Sequence, residues 1–331
     1  MARRRRNRTG SLLLLMMVML GGGASAYYAG ILPWGSDGAA GPEGRLPLTS
    51  SRADTADPNG GPYAHLPERG TNPEAPVGDG PRDVKRGRSL VNVGRTALAN
   101  HELVAARAQL NEALAYDLPL EELVALKADL TRLATETVFS PRITAGDPFV
   151  AWHVIAPGET LEKIARKYAV TADLLARINS LADKNRIRGG QRIKVVQGPF
   201  RAVVSKAAFT LDIYLGDTFV RQYPVGLGAD DGTPTGRWRI RNKLENPQYN
   251  PPRGGKIILA DDPANPLGER WIGLEGVGGG AVGQLRYGIH GTIDPDSIGQ
   301  SVSLGCIRMH NADVEEVYEM LVEGKSEVVV K

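Results

Sequence analysis

The chain opens on a sharp contrast between charge and hydrocarbon. Arg3, Arg4, Arg5, Arg6 and Arg8 are followed by an apolar core from Leu12 to Leu20, and uncharged residues continue through Tyr27, Tyr28, Ile31, Leu32 and Trp34. Arginines ahead of an apolar core form an export signal. Ala24-Ser25-Ala26 would suit cleavage, but the run is long enough to span a bilayer, which takes about 20 residues. Residues 1–34 are therefore read as a signal anchor or signal peptide, the uncleaved anchor favoured, with the arginine end in the cytoplasm. Either reading puts the rest of the chain in the cell envelope, held at the inner membrane or secreted to the periplasm. Residues 35–80 show no apolar period and are rich in Gly, Pro, Asp and Asn, as in Asp57-Pro58-Asn59-Gly60-Gly61-Pro62. They read as a disordered linker.

From Asp83 to Val138 the period becomes helical. Leu103, Ala106, Leu110, Ala113 and Leu114 recur at spacings of three and four, as do Leu123, Leu126, Leu130 and Leu133. Asp117-Leu118-Pro119 breaks the run, so residues 81–140 read as a helical hairpin with a further helix near Leu90–Leu98. The arrangement resembles a short piece of a tetratricopeptide array. Such arrays need about three units to stand alone, so packing on a neighbouring domain or self-association is expected ahead of a peptide groove.

In residues 151–197 the pattern is strand, helix, helix, strand. His153–Ile155 is a strand, Pro157-Gly158 a turn, and Ile164, Ala165, Tyr168 and Leu174, Leu175, Ile178 mark two short amphipathic helices. Arg192–Val195 returns as a strand. Beyond Gly198 the chain alternates as strands and hairpins do, at 201–205, 210–215 and 218–225. Asn311 reads as the cap of one late helix, and Val328-Val329-Val330 as a last strand.

Charge changes this picture little. The formal net charge is +3, but the N-terminal arginines supply all of that excess, and no basic stripe with interleaved aromatics appears elsewhere. A nucleic-acid partner is therefore not expected. Cysteine usage matters more. Cys306 is the only cysteine, so it cannot close an internal disulfide or build a multi-cysteine zinc site. No pair of histidines with a carboxylate suggests a metal either, and neither metal nor cofactor is expected. A free thiol is commonly a small buried hydrophobe. Here, however, it has Gly305 before it, Arg308 two after it, and His290 in the glycine-flanked turn Gly288–Thr292 upstream. Thiol, base and nearby cation are the parts of a cysteine nucleophile. His310 is the weaker candidate base, since helix entry already explains it.

The stretch Ile289-His290-Gly291-Thr292, then Ser303-Leu304-Gly305-Cys306-Ile307-Arg308, resembles the L,D-transpeptidase (YkuD) catalytic domain. The likeness continues upstream in Gly232–Gly236, Asn265–Gly268 and Arg270–Leu274. Residues 153–196, with Gly158-Glu159-Thr160-Leu161, Asn179 and Gly190–Ile193, resemble a LysM domain. The chain is thus expected to be multidomain: a mainly β sandwich catalytic domain over 200–331, preceded by a βααβ LysM domain and the helical, tetratricopeptide-like segment. The resemblance implies peptidoglycan as partner. Cys306 would attack a tetrapeptide stem to form a thioester and release D-alanine, and His290, oriented by the Gly291 carbonyl, would move the proton. Ser303, Gly305 and Arg308 would shape the site, Gly305 and its neighbours supplying oxyanion donors and Arg308 favouring the thiolate or holding a stem carboxylate. Gly158, Glu159, Thr160 and Asn179 would lie at the glycan groove. The acceptor amine stays open: it would join two stems or attach an envelope protein. Carboxypeptidase or D-amino-acid exchange activity, or a non-enzymatic LysM scaffold, are the alternatives.

Overall fold

The computed structural model describes residues 83–251 and 254–331. The expected anchor and linker lie outside the described residues. Among those described, no helix is long and apolar enough to cross a membrane.

Three helices come first: α1 (Val84–Ala99), α2 (Leu103–Ala113) and α3 (Leu120–Thr137). Asp83 starts α1 by accepting the Lys85 N–H at 2.8 Å, satisfying one of the donors a helix start leaves unpaired. Leu90, Leu110, Leu126, Leu130 and Leu133 close a small core between the helices. Arg88–Glu122 at 2.7 Å and Arg95–Asp129 at 2.9 Å tie α1 to α3 across its rim.

A two-stranded antiparallel sheet follows, β1 (Val150–Val154) with β2 (Arg192–Val196). Between them come α4 (Leu161–Lys167) and α5 (Ala172–Ile178), each opened by a threonine cap, Thr160 on the Lys163 N–H and Thr171 on the Leu174 N–H. The remaining strands are β3 (Phe200–Ser205), β4 (Thr210–Leu215), β5 (Thr218–Pro224), β6 (Leu227–Gly228), β7 (Gly236–Glu245), β8 (Arg270–Gly278), β9 (Gly288–His290), β10 (Ser301–Ser303) and β11 (Ile307–Arg308). They are followed by α6 (Asn311–Met320) and β12 (Glu327–Val330). Eight of them hydrogen-bond into one mixed sheet ordered β11-β9-β8-β7-β12-β3-β4-β5, while β6 and β10 pair separately and in parallel. Hydrogen bonding thus makes the region beyond Gly198 one long sheet that supplies both faces of its core. Ile213 and Val204 from one end share that core with Ile272, Ile289 and Ile307 from the other, around Trp238 and Val317 of α6.

The helical segment is packed against this sheet. Phe219 of β5 is fully buried in the helical core, and Asn111 of α2 brackets the strand, accepting the Phe219 N–H at 2.8 Å and donating to the Asp217 carbonyl at 3.0 Å. β5 is the outermost strand, so α2 and α3 occupy an edge that would otherwise offer unpaired backbone groups.

The helical segment is also locked to the βααβ module. Lys194 of β2 is completely buried, and its ammonium donates to the carbonyls of Thr137, Ser140 and Arg142 at 2.6, 2.8 and 2.7 Å. Thr137 is the last residue of α3, whose final carbonyls the helix leaves unsatisfied, and Ser140 and Arg142 lie in the segment just after it. Beside it, buried Arg107 forms a bidentate pair with Asp147 at 2.7 and 2.8 Å. Lys194→Met keeps the volume and strands three carbonyls, so a loss on the order of 3 kcal/mol is expected. Urea unfolding checks it through a lower midpoint; an unchanged midpoint would mean that water replaces the ammonium at no cost.

Candidate active site

Two strands bring the thiol and the histidine together. β9 ends at His290, and β11 runs parallel beside it with Arg308 opposite His290. The Met309 N–H donates to the His290 carbonyl at 2.9 Å. Cys306 lies just before β11, at the end of the short turn that leaves β10. Residues far apart in the local pattern therefore meet on one sheet edge.

His290 is buried, and its ring stacks on Trp271 of β8, centroids 5.8 Å apart and planes 20° apart. Its Nδ1 lies 2.6 Å from the Gly291 carbonyl. A carbonyl only accepts, so Nδ1 carries the proton and Nε2 keeps its lone pair. Burial pulls the ring down to about 4, helped by Arg308, against the opposing pull of the Gly291 carbonyl. The imidazole is therefore neutral near pH 7. Asn311 braces this turn: its Oδ1 accepts the Thr292 N–H at 3.0 Å. A Cβ on Gly291 would sit 2.0 Å from that oxygen, so only glycine lets the two approach. The sequence placed Asn311 as the cap of α6; the structure gives that position to His310. The Asn311 side chain instead reaches back to the histidine turn.

Cys306 is half-buried, and its thiol points to the Arg286 carbonyl, 3.9 Å away, without a hydrogen bond to the imidazole. Burial pushes the thiol up, and the Gly288 backbone and Arg308 pull it back less strongly. Arg308 thus acts in the expected direction, toward the thiolate, but burial outweighs it, and a neutral thiol faces a neutral imidazole. Arg308 itself lies 3.7 Å from Asp294.

The turn before the thiol is built on Ser303. Its hydroxyl accepts the Gly305 N–H at 3.0 Å and donates to the Cys306 carbonyl at 2.7 Å. The Gly305 N–H is thereby occupied, which removes it from the expected oxyanion donors. Gly305 is needed for its backbone, at φ +126°, where a Cβ would lie 2.7 Å from Tyr287. Buried Thr233 holds the other side, accepting the Gly228 N–H and donating to the Gly305 carbonyl, both at 2.9 Å.

Cys306 and His290 open into a cleft of about 370 Å³, walled by Trp271, Tyr249, Leu267, Leu304 and three arginines. The long β7–β8 connection forms its roof. Within that connection Tyr249 and Ile258 exchange backbone hydrogen bonds at 2.9 and 3.0 Å, and buried Asn265 donates to the Pro247 carbonyl at 2.7 Å. A larger depression of about 750 Å³ around Asn246, Asp261 and Asp262 contains neither a nucleophile nor a histidine. His310 does not line the cysteine cleft.

The residue patterns match two family models: L,D-transpeptidase catalytic domain over residues 199–330 and LysM domain over 153–196. A Bacillus licheniformis protein named for L,D-transpeptidase YkuD is 35% identical over 178 residues, which cover 51% of this chain and 93% of that protein. The chain belongs to the L,D-transpeptidase family. A second relative of this L,D-transpeptidase, named for YqjB in Bacillus subtilis, is 40% identical over 123 residues, covering 37% of this chain and 66% of the relative. Among solved structures, an L,D-transpeptidase from Mycobacterium tuberculosis aligns with a TM-score of 0.32 at 16% identity, over 43% of this chain and 62% of that one.

In the LysM domain, the candidate groove residues divide by structural duty. Gly158 is an exposed turn residue at φ +80°. Thr160 caps α4. The Glu159 carboxylate takes the Ala156 N–H at 2.7 Å and the ring of buried His153 at 2.9 Å. Asn179 is turned inward: its amide donates to the Leu175 and Lys194 carbonyls and accepts the Lys194 N–H, at 2.9, 2.8 and 2.7 Å. Both amide hydrogens are thereby committed to the backbone, so what this side chain could still offer a sugar in the groove is the second lone pair of its oxygen. Asn179→Ala should cost about 2 kcal/mol of stability and leave glycan binding by the folded protein unchanged. Thermal unfolding and a sedimentation assay with chitin oligomers or sacculi separate the two effects.

Sequence reasoning quoted Trp271 and Asn265 only as part of a resemblance and missed the bracing by Thr233 and Asn311. Thr233 beside Gly232 was a usable signal; the Asn311 contact follows only from the fold.

Proposed function

We propose that the protein is a cysteine-dependent L,D-transpeptidase acting on peptidoglycan tetrapeptide stems. The observation that carries this reading is the neutral His290 ring, held by Gly291 at Nδ1 so that Nε2 is the available base in the cleft of Cys306. In the reaction, the thiol leaves the Arg286 carbonyl and gives its proton to Nε2 as sulfur bonds to the carbonyl carbon at the L-centre of the third stem residue. The carbonyl oxygen takes the negative charge. With the Gly305 N–H occupied, the N–H of Cys306 itself, which has no hydrogen bond among the described residues, is the donor we assign to it. The carbon–nitrogen bond then breaks, and the imidazolium returns the proton to the departing D-alanine amine. An acceptor amine repeats the sequence in reverse: its nitrogen attacks the thioester, Nε2 takes its proton, and the thiol is regenerated.

A side-chain amine of a second stem as acceptor gives a cross-link, a lysine amine attaches an envelope protein, and water gives carboxypeptidase activity. We favour cross-linking, because the LysM domain would hold the enzyme on glycan strands where acceptor stems are dense. The N-terminal arginines and apolar run would keep it in the envelope at the inner membrane.

Incubation with tetrapeptide muropeptides and mass spectrometry tests this. A dimer lighter than two monomers by one D-alanine is expected. Loss of D-alanine without dimer points to hydrolysis, and unchanged muropeptides would leave only a glycan-binding scaffold.

A further inference from the structure

Among the described residues, the cleft of Cys306 is lined by three arginines, Arg241, Arg286 and Arg308, and by no acidic side chain. Arg308 is partly balanced by Asp294 at 3.7 Å. Arg241 and Arg286 are exposed, and neither side chain has an ion pair or hydrogen bond among the described residues. Two unpaired cations beside a third repel one another, and that cost recedes when an anion enters.

Their placement is built into the backbone. In a regular strand neighbouring side chains point to opposite faces, yet Arg241 and its neighbour Asn242 both line the cleft. The ladder between β7 and β8 explains this: Ile240 pairs with Leu274 and Asn242 with Gly273, so Arg241 is an extra residue with no partner. Such a bulge re-aims a side chain that regular pleating would send elsewhere. Arg286 leaves the main chain at the nucleophile itself, since its own carbonyl is the group 3.9 Å from the Cys306 sulfur. Both arginines therefore line the cleft that Cys306 opens into, and a guanidinium fork fits a carboxylate in bidentate fashion.

We infer that Arg241 and Arg286 are specificity-determining residues that read a carboxylate carried by the acyl donor close to the scissile bond. This rests on the transpeptidase reading above. A tetrapeptide stem whose third residue is a diamino diacid offers that chemistry from two sources, the terminal carboxylate of the departing D-alanine and the side-chain carboxylate of that third residue. Either source makes the enzyme selective for free-acid stems over amide-capped ones. Amidation would exclude a donor while leaving its peptide bond intact.

The test uses the full protein and three synthetic tetrapeptide donors: one with both carboxylates free, one amidated at the terminus, and one amidated at the diamino-acid side chain. kcat/KM for acylation is measured for the wild type, Arg241→Gln and Arg286→Gln. In the wild type one amidation should cost about 10–100-fold, the scale of a lost charge-assisted pair, and the amide that hurts identifies the source. In at least one variant the free-acid donor should fall by a similar factor, with amidation adding little, because the group that read the charge is gone. A merely structural arginine would slow all three donors alike and keep their ranking. Equal wild-type rates on all three donors, or a full free-acid preference in both variants, would overturn the inference and leave the transpeptidase reading standing. A wild type that acylates with none of the donors would overturn both.

Discussion

Serine at position 306 is expected to abolish acyl transfer, by about 10³-fold or more, with the fold intact. The reason is the weakness of the base. Burial holds His290 at about 4, so even the thiol proton is taken uphill. A hydroxyl, whose acidity lies nearer that of bulk water and far above a thiol's in pKa, would be several orders of magnitude harder to deprotonate by the same ring. Oxygen would also lose sulfur's intrinsic nucleophilicity. Nothing in the packing demands sulfur: the side chain is half-buried, and its polar neighbours are the Arg286 carbonyl at 3.9 Å and the Gly288 backbone. Intact-mass detection of the stem thioester, with urea unfolding as control, checks both halves. Turnover that survives Cys306→Ser would remove the cysteine from the mechanism.

The second large effect concerns His290 and pH. His290→Ala should lose about 10²–10⁴-fold in acylation, the usual contribution of a general base, whereas His310→Ala should keep nearly all of it. The acid limb carries further information. Only the neutral ring accepts a proton, and its folded value is depressed from 6.5 to about 4. Acylation should therefore hold steady through pH 6 and fall to half near pH 4, instead of falling around 6.5. Stability has the same sign. The unfolded ring binds a proton near 6.5 and the folded ring only near 4. This contribution is thus complete above 6.5 and is lost as pH drops toward 4, by about 3 kcal/mol in all. A rate profile that breaks near 6.5 would mean an open, solvated histidine. A collapse in His310→Ala alone would mean a different base.

The retained plateau bears on the arginines as well. With thiol and imidazole both uncharged at rest, the positive charge of Arg241 and Arg286 is not spent on a thiolate. It remains available to an anionic donor, which is why donor amidation and the pH profile test different parts of one cleft.

Local chemistry made several features legible before any coordinates. The short amphipathic periods of α4 and α5 and the alternation in β3 to β5 are local signals, and they form where the pattern puts them. Cys306 and His290 were legible as well, because a lone thiol and a glycine-flanked histidine are unusual side chains in unusual settings. β7, β8 and β9 were not legible. They are rich in glycine and charge, and their pairing is set by long-range contacts such as Trp271 opposite His290. Asn311 and Asn179 were read as a helix cap and a sugar contact because asparagine is common in both places. Tertiary packing turned the first to the histidine turn and the second inward onto the backbone.

The sequence by itself determined the candidate thiol and base, the helical and βααβ segments, and the order of the two matched domains, since each depends on residue type and short spacing. Tertiary structure alone decided the protonation of the pair, the loss of Gly305 as an oxyanion donor, and the aim of Arg241. Those depend on burial, on which neighbour claims a hydrogen bond, and on a one-residue slip between two strands. None of the three is a property of a residue; each belongs to a residue among its contacts.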